Sequence, residues 1–159
     1  MTTRQDYQIS IEVCKFANII NDLLDACAYN LHNLDANTGD ILRVVDVPGT
    51  PDVPTTYRPA EVGDIKELVN SRLSAVQTYY AALNQFIDGL TLIRVRDALL
   101  AWQIDAQSLR DDILAMRNIA ITIGNQIGPA TTFAQLEIGA VYIDNNVPKL
   151  PLFRRRWDL

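Results

Sequence analysis

Apolar residues recur at steps of three and four along three stretches of the chain, the spacing that gathers side chains on one helix face. The first stretch runs from about Arg4 to Leu34, with Ile9, Val13, Phe16, Ile20, Leu23, Cys27, Leu31 and Leu34 on its stripe. At about 1.5 Å per residue, such a helix spans roughly 45 Å. The second runs from about Glu61 to Asp88, with Ile65, Val69, Leu73, Val76, Tyr80, Leu83 and Ile87 on one face. Asp64 followed by Glu67 predicts a capping box at its start, and Gly89 a left-handed closing residue. The third runs from about Thr91 to Gln126 through Leu92, Val95, Leu99, Trp102, Ala106, Leu109, Ile113, Met116, Ala120 and Ile123. Its unbroken alternation of three and four predicts one continuous helix of coiled-coil character. Gly124, Gly128 and Pro129 stop it.

The first two helices are separated by a long connection, residues 35–60. DANTGD is a turn sequence, and ILRVVDV reads as a short strand because Ile41, Val44, Val45 and Val47 suit a pleated surface. Pro48, Pro51, Pro54 and Pro59 then exclude helix. A connection this long is more often a partner-binding loop than a linker. Beyond Pro129, TTFAQLE predicts one short helix capped by Thr132, with Gln135 completing the cap. Residues 139–159 read as an extended arm, held from helix by Pro148 and Pro151. The expected architecture is therefore mainly α: a bundle of three long helices over residues 1–138, a small β-hairpin or irregular insertion at 35–60, and an extended C-terminal arm over 139–159. Ile11, Ile19, Leu24, Tyr79, Phe86, Leu100, Ile104 and Ile121 lie off the main stripes. That surplus of apolar positions predicts association.

Composition suits a folded domain, with 48% apolar residues and 21% charged residues in 159. The charge is unevenly placed. Residues 1–148 carry 10 basic and 18 acidic side chains, a balance of −8. The remaining stretch sets Lys149, Arg154, Arg155 and Arg156 against Asp158. An acidic body repels nucleic acid and anionic membrane, while a short basic end still suits an acidic groove. The opening MTTRQDYQIS lacks the apolar stretch of a signal peptide, and no apolar run is long enough for a membrane span. Cys14 and Cys27 fall in one helix, roughly 20 Å apart. A disulfide needs Cα atoms within about 7 Å, so the two read as buried thiols of a reducing compartment.

Few groups offer chemistry. His32 shares a helix face with Asp25 and Tyr29, a pairing that could orient a base. No nucleophile is placed beside it, and a helix-end histidine stabilised by the dipole is the plainer reading. Asp35, Asn37 and Asp46 occupy the first, third and twelfth positions of a calcium-type loop. However, Gly39 stands where a ligand belongs and Asp40 where the turn needs glycine, so a polar turn is expected. Asp97, Asp105, Asp111 and Asp112 interleave with Arg94, Arg96, Arg110 and Arg117. That pattern predicts ion pairs, Asp97 with Arg94 among them. No phosphate loop, nucleophile elbow or zinc signature is present. No enzymatic activity, cofactor or metal is expected.

The densest interaction signal is at the end of the chain. Pro148, Leu150, Pro151, Leu152, Phe153, Arg154, Arg155, Arg156 and Trp157 combine an extended polyproline-type lead with aromatic and arginine anchors, the residue types that dominate interfaces. Together with the helical region 4–126 and the loop PGTPDVPTTYRP, this PLFRRRWDL ending resembles small helical proteins of tailed-bacteriophage particles, such as head-to-tail adaptors and other neck or tail subunits. The resemblance implies a structural subunit of the virion, assembled in the host cytoplasm. Its partners would be copies of itself in a ring or similar oligomer, together with other structural subunits. It implies no membrane and no tight nucleic-acid binding, with DNA free to pass nearby. The alternative is a cellular helical adaptor or regulator that binds a protein partner through the 35–60 loop and the arm.

Overall fold

The computed structural model describes residues 3–32, 42–100 and 102–148. Five helices and one hairpin make up the described chain: α1 (Arg4–Leu31), β1 (Arg43–Val47), β2 (Thr56–Pro59), α2 (Val62–Leu90), α3 (Leu92–Leu100), α4 (Ala106–Ile127) and α5 (Phe133–Asn146). The fold is mainly α, with three long helices and a small antiparallel sheet, as the periodicity predicts.

α1 is the central helix and packs against each of the other four. Cys27 faces Val69 of α2, while Phe16 stacks tilted against Tyr79 and Phe86, so α1 and α2 run antiparallel. α4 runs antiparallel to α2 in turn. Lys66 near the start of α2 donates to the carbonyls of Gly128 (2.7 Å) and Ala130 (3.0 Å) beyond the end of α4. Farther along, the Arg117 guanidinium lies over the Tyr80 ring. α5 returns antiparallel to α1, with Gly139 against Leu31, Ile123 and Ile127. α1, α2, α4 and α5 thus form an up-down-up-down bundle. α5 covers only the C-terminal half of α1; the short α3 covers the N-terminal half, where Ser10 donates to Ala98 O at 3.1 Å and Arg94 pairs with Asp6. The core runs through Ile20, Leu24, Ile65, Val76, Leu99, Met116, Ile123 and Leu136, all 0–1% exposed.

Several boundaries differ from the sequence reading. The third helix is two helices. The backbone turns at Gln103 (φ 57). Ile104 N donates to Leu99 O at 3.2 Å and Gln103 N to Leu100 O at 3.0 Å, the bond pattern of a Schellman stop without its usual glycine. Asp105 then starts α4 by accepting from the N–H groups of Gln107 and Ser108. The 3–4 stepping continues through the break because Leu99, Ala106 and Leu109 are buried in the same core and Trp102 packs against it. α1 ends at Leu31, and Leu34 lies outside the described residues.

α2 starts at Val62, one turn earlier than a cap at Asp64 would allow. Asp64 is the third helical residue and accepts from Glu61 N at 2.8 Å. Gly89 lies within α2, and the positive backbone angle falls on Thr91 (φ 76). The region 139–146 is helical, so the arm reading fails there and a domain boundary at 138 would cut α5. Thr132 and Gln135 form the predicted cap, but the helix runs on because Gly139, Ala140 and Ile143 bury against α1 and α4. Of the surplus apolar residues, Leu24 and Ile104 are core and Tyr79 and Phe86 pack against it, whereas Leu100 and Ile121 face solvent.

The hairpin pairs Val45 with Tyr57 and Val44 with Arg58, with a bulge between Val45 and Val47. Its tip is closed tightly at Gly49. A Cβ there would meet Val53 O at 2.4 Å and Thr55 N at 2.6 Å, so only glycine fits.

Candidate interaction surfaces

The hairpin stands at the end of the bundle where α1 finishes and α2 and α5 begin. Two anchors hold its base. Ala60 N bonds to Leu42 O at 2.8 Å, and Arg58 forms a two-point pair with Asp64 of α2 at 2.7 and 3.0 Å. The Arg58 guanidinium, followed by the Glu61 N–H, holds the Asp64 carboxyl below its usual range. Beyond that base the strands pair chiefly with each other, leaving Val45 (52%), Val47, Val53 and Tyr57 (57%) in solvent. A two-stranded ribbon has little stability by itself, so this base fixes where those side chains are presented.

α5 presents a second apolar surface. Leu136, Gly139, Ala140 and Ile143 face the core. On the opposite side Ile138 is 64% exposed and Val141 46%, and with Ala134 and Glu137 they line a shallow depression. A helix apolar on both sides is normally covered on both sides. Phe133, at the start of α5, borders a second open groove with Pro59, Ala60 and Val62, which brings the hairpin base next to α5. The sequence signal for this surface was present in Ile138 and Val141, but it was hidden by reading 139–159 as an arm.

Of the predicted partner-binding residues, Pro148 is described. It is half-buried, and its carbonyl accepts from Asn21 Nδ2 at 3.5 Å, so the chain leaves α5 against the middle of α1. Leu150, Pro151, Leu152, Phe153, Arg154, Arg155, Arg156 and Trp157 lie outside the described residues.

The other candidates resolve into structural roles. His32 bonds through Nε2 to Asp144 at 2.7 Å, and its Nδ1 lies 3.8 Å from Glu137. Carboxylates of α5 therefore face both ring nitrogens, which ties the end of α1 to α5. Arg94 pairs with Asp6, not with Asp97, which pairs with Arg96. Asp105 is a cap, and Asp111 accepts from Gln107 at 3.0 Å. Burial, then the neighbouring Asp111 charge, pushes the Asp112 carboxyl up. Asp46 lies on β1, 3.8 Å from Arg58, and residues 35–41 of the calcium-like loop lie outside the described residues. Among the described residues no cluster of metal-ligating side chains is assembled, and no helix is long and apolar enough to cross a membrane.

Cys14 and Cys27 are buried, and burial pushes the Cys27 thiol up to about 11, so it stays protonated at neutral pH. A cavity of about 20 Å³ between α1, α2, α3 and α4, lined by Val13, Leu83, Ile87, Val95 and Leu109 among others, has room for one water and no organic ligand. No family model, curated protein or solved structure matches the chain.

Proposed function

We propose that this protein is a structural subunit of an oligomeric assembly, of the kind found in bacteriophage particles as a head-to-tail adaptor, neck or tail component. The observation that supports this reading best is the apolar side chains left in solvent on two neighbouring elements. These are Val45, Val47, Val53 and Tyr57 on the hairpin and Ile138 and Val141 on α5. Exposed apolar patches on a helical bundle are the mark of a contact with another protein. The hairpin is short, anchored at its base and free of the bundle beyond it, which suits insertion between subunits. The partners are further copies of the chain in a ring or similar oligomer and other structural subunits, joined through residues 148–157. The acidic body, −8 over residues 1–148, leaves a DNA duplex free to pass without adhering. The phage setting rests on the layout of bundle, proline-rich loop and PLFRRRWDL ending.

Size-exclusion chromatography with light scattering tests the proposal on the full chain. A discrete oligomer is expected, and ring-shaped particles in negative-stain electron microscopy would support the closed form. A chain that stays monomeric at high micromolar concentration would overturn it.

A further inference from the structure

We propose that the outer face of α5 is the receptor for residues 149–159 of a second copy of this chain. The inference rests on the assembly reading above and names the seat of its arm.

Three observations converge on that occupant. The first is shape and polarity. Ala134, Ile138 and Val141 recur at steps of four and three, forming an uncovered apolar stripe on a helix whose inner side is already core. The segment that follows α5 supplies Leu150, Leu152, Phe153 and Trp157 as matching apolar anchors.

The second is charge. The only carboxylate or basic side chains on α5 are Glu137 and Asp144, both half-exposed. Glu137 borders the stripe itself. The segment brings Lys149, Arg154, Arg155 and Arg156 against one acid, Asp158. Opposite charges flanking an apolar contact favour this pairing, whereas α5 against a copy of α5 would set acid against acid.

The third is where the chain goes. Val147 is extended (ψ 124) and Pro148 O rests on Asn21, so the chain leaves on the α1 side of α5, away from the stripe. A chain that departs on that side starts with α5 between it and its own stripe, whereas the stripe of a neighbouring copy lies open to it.

The test compares four full-length or near-full-length proteins by light scattering, with far-ultraviolet circular dichroism to confirm equal helicity. They are the unaltered chain, a chain ending at Pro148, the double variant Ile138→Glu/Val141→Glu, and the triple variant Arg154→Glu/Arg155→Glu/Arg156→Glu. Ile138 and Val141 are solvent-facing, so their replacement leaves the core intact. The unaltered chain should be oligomeric, and all three alterations should lower the mass to that of a monomer with helicity retained. A synthetic peptide of residues 148–159 should compete the unaltered oligomer apart. If truncation dissociates the oligomer and the α5 double variant does not, the seat lies elsewhere; that result overturns this inference and leaves the assembly reading standing. Retention of full mass by the truncated chain overturns the role of the segment. A monomeric unaltered chain overturns both readings.

Discussion

Replacing Ile143 by alanine tests whether residues 139–146 belong to the bundle or to a free arm. Ile143 is 1% exposed and sits on the inner side of α5 beside Leu136 and Ala140. The substitution removes three carbons, each worth about 0.8 kcal/mol of burial, or about 2.4 kcal/mol in all. A residual cavity adds to this, because α1 and α4 are held by their own contacts and close the gap only in part. The total should fall near 3 kcal/mol, within the range of about 2–5 kcal/mol for such truncations. That is a large share of the about 5–15 kcal/mol available to a domain of this size. The assay is urea unfolding followed by circular dichroism at fixed protein concentration. The midpoint should drop, the slope should hold, and the transition should stay single, since α5 unfolds with the rest. Ile93→Ala, at a position 64% exposed on α3, is the control and should change stability by less than about 0.5 kcal/mol. An Ile143→Ala cost below about 0.5 kcal/mol, or an early separate transition for α5, would refute the placement of this helix in the core.

Three other outcomes follow from particular contacts. Asp105→Ala removes the acceptor for two N–H groups at the start of α4 and should cost about 0.5–2 kcal/mol in urea unfolding; an unchanged midpoint would mean that the break at 102–105 is held by packing alone. Thr91 combines φ 76 with ψ 145, a region nearly reserved for glycine, at a strain of about 1–3 kcal/mol. Thr91→Gly relieves that strain against two smaller costs, a weak cap to Arg94 N and added chain entropy in the unfolded state, so the thermal midpoint should rise; a fall would show that those costs outweigh the strain. The third outcome concerns acid. The Thr3 N–H and then Arg94 hold the Asp6 carboxyl below its ordinary value, and Arg58 followed by Glu61 N does the same for Asp64. Their contribution is complete above the unfolded aspartate value of about 3.9 and is lost as pH falls through the lower folded values. The Asp6→Asn/Asp64→Asn variant should therefore lose stability less steeply below about pH 4, and parallel pH curves would contradict the assignment.

The places where sequence and structure part company share a cause. The 3–4 stepping from Leu92 to Ile123 records which residues face the core, and it does so correctly for Val95, Leu99, Leu109, Ile113, Met116 and Ile123. It carries no record of the turn at Gln103, because both helices on either side bury against the same neighbours. Asp105 was the local sign of a new helix start, and its place in a charge-rich stretch made it look like half of an ion pair. Pro148 and Pro151 make residues 139–146 read as part of an extended arm. Yet Gly139, Ala140 and Ile143 fit the groove between α1 and α4, and that burial outweighs weak local preference. The candidate surface was half legible. The basic aromatic end was visible in the residue order, while the apolar stripe of α5 became visible only once its inner face had been assigned.

The sequence by itself determined the number of long helices and closely the spans of the first two, the hairpin, the buried thiols and the separation of an acidic body from a basic end. Those properties follow from periodicity, turn residues and charge order, which act over a few neighbouring positions. Only the tertiary structure decided which partner each charge takes, with His32 to Asp144, Arg94 to Asp6 and Arg58 to Asp64, and which apolar residues remain in water. Such pairings depend on how helices far apart in the chain are laid against one another, and distance along a sequence does not encode that packing.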